Sequence, residues 1–216
     1  MRTIVSMELN RPLRVVTSTL DGDVLRILAS AETEFTPPEV HRLVGAHSVA
    51  GIRKGLERLV GQGIVLQRGA GKGSLYQLNR DHLAAGAVIE LSRMKEELLV
   101  RMRKELGEWE IRSAYAAVFG SAARNDMRPD SDIDLLVVRP RDVEADDDVW
   151  SEQLYEIANT VHRWTGNSTN VLELGETEVL EAAGNGDPVL VAISEEGIRI
   201  QGPSSFLRRK LAGVRN

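Results

Sequence analysis

Two short groups of residues carry the chemistry that this sequence offers. Gly120 and Ser121 follow directly on an apolar run, and Asp132 and Asp134 open a second apolar run about ten residues later. A glycine after a strand lets the backbone approach a phosphate with no Cβ in the way. The Ser121 hydroxyl and the amides at the start of the next helical turn supply donors to a triphosphate, and Arg124 neutralises a phosphate. Residues two apart on a strand point to one face, so Asp132 and Asp134 stand side by side. Neighbouring carboxylates repel each other, which favours capture of a divalent cation. Mg²⁺, or Mn²⁺ in its place, prefers carboxylate and phosphate oxygens.

The elements that must hold these groups read clearly. Residues 114–119 form a buried-type strand, 122–124 open a helical turn, and 132–138 form a second strand after a polar loop. Residues 146–165 read as a helix with Trp150, Leu154, Ile157, Ala158 and Val161 inward. A strand is expected over 168–174, helices over 176–183 and 187–195, and a late strand over 197–202. A basic amphipathic tail, 206–211, is expected to pack on the body.

Gly-Ser, Ala-Arg, a spacer, then Ser131-Asp132, Ile133, Asp134 and Leu135 resemble the minimal nucleotidyltransferase family, small members of the polymerase-beta-like superfamily. Aminoglycoside nucleotidyltransferases and the nucleotidyltransferase antitoxins of toxin–antitoxin pairs belong to it. The resemblance implies a small mixed sheet flanked by helices over 108–203. It also implies a nucleotide site at Gly120, Ser121, Arg124 and Ser131, and catalytic metal ligands at Asp132 and Asp134. The family supplies a third carboxylate from a later strand. Aligned by its apolar pattern, that position falls on Asn170, which can neither act as a general base nor balance metal charge. Glu173 is the nearby carboxylate, on the opposite face of the strand unless a bulge shifts the register.

The N-terminal half has a different character. Helices are expected over 20–31, 36–44 and 49–60, then strand-like runs at 64–68 and 74–78 around a glycine-rich tip. Three short helices followed by a basic hairpin resemble a winged helix-turn-helix, assigned to 13–80. Its third helix offers Ser48, Arg53, Lys54 and Arg58 to a DNA groove, and its wing offers Arg68 and Lys72. The proline-free stretch after it, with Ala87, Leu91, Met94, Leu98, Met102 and Leu106 at helical spacing, reads as a linker helix. Assigned to 81–107, it is expected to pair with its copy in a homodimer. Residues 204–216 remain as a basic tail.

Charge divides the same way. Phe35–Arg80 holds seven basic and two acidic residues, while Glu108–Ile200 holds seven basic and 20 acidic, within a chain of net charge −5. A polyanion is attracted to the first half and repelled by most of the second. The absence of cysteine excludes disulfides, thiolate metal sites and cysteine nucleophiles. No stretch approaches the ~20 apolar residues of a membrane span, and the N-terminus has no apolar run long enough for a signal peptide, so a cytoplasmic protein is expected. His41, His47, His82 and His162 show no ligand spacing. The segment 69–74 fails as a P-loop, because Leu66 stands where the first glycine belongs.

The whole reads as an α+β chain: winged helix-turn-helix, long helix, nucleotidyltransferase-like domain. The first expected function is transfer of a nucleoside monophosphate from a nucleoside triphosphate to a hydroxyl on a small molecule, RNA or protein. The alternatives are a double-stranded-DNA-binding regulator whose degenerate domain senses a nucleotide, and an antitoxin-like protein acting on a partner toxin.

Overall fold

The computed structural model describes residues 6–71 and 73–212. Lys72, assigned to the wing, and the end of the basic tail lie outside the described residues. The chain divides into two compact units, Arg11–Lys95 and a second made of Met1–Asn10 with Glu96–Asn216.

The Arg11–Lys95 unit starts with a single 3-10 turn, Pro12–Val15, and α1, Leu20–Ala29. α2, Pro37–Val44, is fixed at both ends. The Thr36 hydroxyl accepts from the Glu39 amide while the Glu39 carboxylate accepts from the Thr36 amide, and Gly45 closes the helix at φ 69°. Ser48 caps α3, Val49–Gly61, by accepting from the Gly51 amide at 3.1 Å. β1, Val65–Ala70, and β2, Gly73–Leu78, form an antiparallel hairpin, and Phe35 adds an isolated bridge to Tyr76. α4, Ala85–Ser92, packs on α1. The apolar stripes of these elements meet in one core, with Val24, Leu28, Val40, Ile52 and Leu56 fully buried.

The single helix expected over 81–107 is two helices. α4 ends at Ser92, Arg93 leaves the helical region at φ −102°, ψ 14°, and α5 runs Met94–Gly107. The Ser92 hydroxyl donates back to the Val88 carbonyl at 2.7 Å, and the Arg93 amide turns to the Glu90 carbonyl, which tightens the last turn. Nor is α5 a free linker. Leu98, Leu99, Met102 and Leu106 are buried in the core of the second unit. Of the stripe expected to pair with a second copy, Leu98, Met102 and Leu106 are taken up in this core, Leu91 packs on the core of the first unit, and Ala87 is exposed. The boundary falls at 95/96, whereas the sequence places divisions at 80/81 and 107/108.

The second unit is built on a sheet ordered β5-β4-β3-β6: β3, Tyr115–Phe119; β4, Ile133–Arg139; β5, Thr169–Gly175; and β6, Ile198–Gln201. β3 runs antiparallel to β4 and β6, and β4 runs parallel to β5. The five-residue α6, Gly120–Arg124, follows β3, and α7, Asp148–Thr165, carries the crossover from β4 to β5 that a parallel pair requires. α8, Glu176–Gly184, α9, Pro188–Glu196, and α10, Phe206–Ala212, complete the unit. Strand alternation divides the core in two. Ala116, Val118, Leu135 and Val137 meet Met102, Leu106, Trp150 and Ile157 on one face of the sheet. Tyr115, Ala117, Leu136 and Val138 meet Val179, Leu190, Ile193 and Leu207 on the other. The start of the tail packs as expected: Leu207 is buried and the Phe206 ring stacks on Tyr115 at 5.0 Å between centroids.

Candidate functional site

The site forms where β3 ends and β4 begins. In the register, Phe119 lies opposite Asp134, so the turn after β3 starts beside that aspartate. Gly120 has φ 65°, and a Cβ built there would overlap the Asp134 carboxylate. Both facts favour glycine: an L side chain is strained in that region of backbone space, and its Cβ would push the Asp134 carboxylate aside. The bend and the second aspartate of the pair predicted from the sequence are therefore in direct contact. Ala122, buried, anchors α6 to the core, and Ser121 is half-buried in its first turn.

Asp132 and Asp134 share a third residue. The Asn170 side-chain amide donates to the Asp132 carboxylate at 3.1 Å and to the Asp134 carboxylate at 3.3 Å. Parallel pairing sets Asn170 level with Asp134, on the same face of the sheet. Burial pushes the Asp134 carboxyl above the usual carboxylate range; the Asn170 hydrogen bond draws it back, the charge on Asp132 raises it, and Arg124 lowers it.

Glu173 is elsewhere. It lies opposite Val137, on the face that packs against α7, where it accepts from the Arg139 guanidinium at 2.8 Å and the Trp150 indole at 3.3 Å. The register between β4 and β5 runs unbroken from Ile133 to Arg139, so no bulge turns Glu173 toward the aspartates. Its proposed substitution for Asn170 is corrected on that ground.

Two other residues assigned to the nucleotide are engaged within the protein. Arg124 lies 3.3 Å from the Asp126 carboxylate and 3.5 Å from that of Glu196, with all three side chains about half exposed. The Ser131 hydroxyl accepts from the Arg128 amide at 2.9 Å and closes the turn before β4. The sequence gives no sign of Asn167, which is fully buried and hydrogen-bonded to the Ser131 carbonyl at 2.8 Å. Its partners in the N-terminal segment, 160 positions away, leave no local pattern to read.

Among the described residues no group of three or more His, Asp or Glu side chains forms a metal cluster. The residues present do fit a single divalent cation: two carboxylates whose mutual repulsion it would relieve, an amide whose oxygen can turn inward, and phosphate oxygens to complete the shell.

In the other unit, Arg53 and Lys54 project from α3, exposed and without an ion pair among the described residues. Arg58 and Arg68 are not free in the same way. Arg58 binds Asp21 on α1 at 2.6 Å, and Arg68 binds Glu34 at 2.6 Å through a two-pronged contact. Ser48 serves as the α3 cap.

Residues 99–182 match the family model for the nucleotidyltransferase domain, a stretch running from within α5 to within α8. Among solved structures, the chain is similar to the crystal structure of a toxin–antitoxin with AMP-PNP. The identity is 14%, the alignment covers 54% of this chain and 83% of that one, and the TM-score is 0.39. It is also similar to a mutant of the toxin–antitoxin MntA-HpeT, at 12% identity, the same coverage and a TM-score of 0.38. No curated protein matches the chain. Among the described residues no helix is long and apolar enough to cross a membrane.

Proposed function

We propose that the C-terminal unit binds a nucleoside triphosphate together with one divalent cation, Mg²⁺ or Mn²⁺, and transfers the nucleoside monophosphate to a hydroxyl acceptor. The observation that carries this reading is the contact between the Gly120 backbone and the Asp134 carboxylate. It brings the glycine bend against one of two neighbouring like charges, and the family match over 99–182 covers both. Asp132 and Asp134 would hold the cation, with Asn170 beside them. When bound, the cation supplies charge neutralisation at the α-phosphate. Ser121 and the backbone at Gly120 bind phosphate oxygens. Arg124 reaches a phosphate by exchanging its contacts with Asp126 and Glu196. The acceptor oxygen bonds to the α-phosphorus as the bond to pyrophosphate breaks. Asn170 cannot take the acceptor's proton, which leaves to water.

A second reading is favoured by one observation. The third position is a neutral amide spanning both aspartates, and the nearest alternative carboxylate is held on the far face by Arg139 and Trp150. In that reading the domain holds a nucleotide or a partner without turnover, as a regulator or antitoxin-like protein. The N-terminal unit then acts as a winged helix-turn-helix on double-stranded DNA, through Arg53 and Lys54 on α3. The two readings separate on incubation with α-labelled triphosphates, Mg²⁺ and cell extract. A labelled acceptor is the result expected of the transferase. No label with any of the four nucleotides, in a protein that still binds them, selects the second.

A further inference from the structure

Asn167 occupies a position that neither reading uses. It follows the α7 cap Gly166, is fully buried, and every polar group of its side chain is engaged within the same unit. Its Oδ1 accepts from the Met7 amide at 3.1 Å, while its Nδ2 donates to the Met7 carbonyl at 3.1 Å and to the Ser131 carbonyl at 2.8 Å. Those partners fix the orientation of the amide, because only an oxygen can face a backbone N–H and only an NH₂ can face two carbonyls. The main chain of Asn167 is held as well: its amide donates to the Thr165 hydroxyl at 3.1 Å, and its carbonyl lies 3.1 Å from the His162 ring.

The Ser131 carbonyl belongs to the peptide that joins Ser131 to Asp132. On the far side of Asp132, the Ile133 amide donates to the Ser168 carbonyl at 2.9 Å. An exposed aspartate standing before its strand is thus flanked by two anchored peptides, one held by Asn167 and the other by the residue next to it. The turn Arg128–Ser131 keeps its own two hydrogen bonds, so the Asn167 bond is what ties it, and the peptide leading into Asp132, to the end of α7. The segment 6–10 completes the arrangement: Leu9 is buried in the core that lines the α7 face of the sheet, and Met7 packs against it.

We propose that Asn167, clamped by the backbone of Met7, is a positioning residue that aims Asp132 at the cation, so that the N-terminal segment is part of the nucleotide site. The inference rests on the nucleotide-site reading above and adds to it a requirement far away in sequence. Asn167 acts one step further back than a bond to the carboxylate itself: it fixes the peptide from which the ligating residue springs, and loss of such outer support weakens metal binding even though it touches no metal.

The test is Mn²⁺ binding, alone and with ATP, followed by electron paramagnetic resonance at a temperature where circular dichroism shows each variant folded. Asn167→Ala is expected to weaken Mn²⁺–ATP binding by about tenfold or more. Ile157→Ala removes a fully buried side chain from the same core but none of the hydrogen bonds that Asn167 makes, and is expected to bind as the wild type does. Met7→Pro deletes the N–H that Asn167 accepts and is expected to weaken binding by a smaller factor, which decides the matter if Asn167→Ala does not fold. Wild-type affinity in Asn167→Ala or, where that variant does not fold, in Met7→Pro, or an equal loss in Ile157→Ala, overturns the proposal. If Asp132→Ala itself binds Mn²⁺–ATP as the wild type does, the nucleotide site fails, and not the positioning role.

Discussion

At the mouth of β3 and β4 the C-terminal unit gathers like charges, whereas in the N-terminal unit Arg58 on α3 and Arg68 on the hairpin are each met by an opposite one. Asp132 and Asp134 share one neutral amide, and Asp134 is held partly out of water with its carboxyl raised. Arg58 and Arg68, by contrast, each meet a carboxylate of their own unit at 2.6 Å. Like charges kept together, with only the Arg124 guanidinium to offset them from a distance, cost stability and favour a cationic ligand. Paired charges on a surface call for none. The same contrast runs through the sheet itself: on its other face Glu173 is answered by Arg139 and Trp150, and that pair belongs to the fold.

The contrast can be broken most forcefully at Gly120. Gly120→Ala places a methyl group on the Asp134 carboxylate at a left-handed φ, and is expected to cost about 3 kcal/mol of stability and to remove nucleotide binding. Denaturant unfolding and calorimetry on one sample check both, and a variant that binds normally would show that bend and aspartate are not one site. On the opposite face, Glu173→Ala leaves the partly buried Arg139 short of its closest carboxylate. The expected loss is about 2 kcal/mol in unfolding free energy, with Mg²⁺-nucleotide affinity unchanged. A fall in that affinity would place Glu173 in the site after all.

In the N-terminal unit, Arg53→Ala plus Lys54→Ala is expected to weaken duplex DNA binding and to lower the slope of log affinity against log salt by about two. Asp21→Asn releases Arg58 and is expected to act in the opposite direction. Fluorescence anisotropy across a salt series measures both, and an affinity indifferent to salt in every variant would remove the DNA role.

The smallest effect concerns pH. Because the Asp134 carboxyl is raised on folding, the folded chain holds that proton more tightly than the unfolded one. The stability from this group is full below about pH 3.9, the ordinary aspartate value, and is lost as pH rises through the raised one. Metal-free Asp134→Asn is therefore expected to melt above the wild type at neutral pH, with the gap closing as pH falls. A gap independent of pH would mean that Asp134 titrates as an ordinary surface carboxyl.

What the sequence makes legible here is local or periodic. A glycine that must follow a strand, two aspartates on alternate positions and an asparagine in phase with them are all governed by a period of two. The structure places these residues together for that reason. What it hides depends on partners far off in the chain. Asp21 reaches Arg58 across 37 positions and Asn167 reaches Met7 across 160, and neither contact leaves a spacing to recognise. The break at Arg93 turns on one serine hydroxyl bonded back to the preceding turn. The fate of α5 was hidden too, because an apolar stripe looks the same whether it faces a second copy or its own sheet.

The most direct measurement is calorimetric titration of nucleoside triphosphate into the whole protein, with and without Mg²⁺, beside Asp132→Ala plus Asp134→Ala. Binding that requires the cation in the wild type and vanishes in the double variant is the result expected if two facing carboxylates make the site. Equal binding in both proteins, or binding indifferent to Mg²⁺, would contradict it.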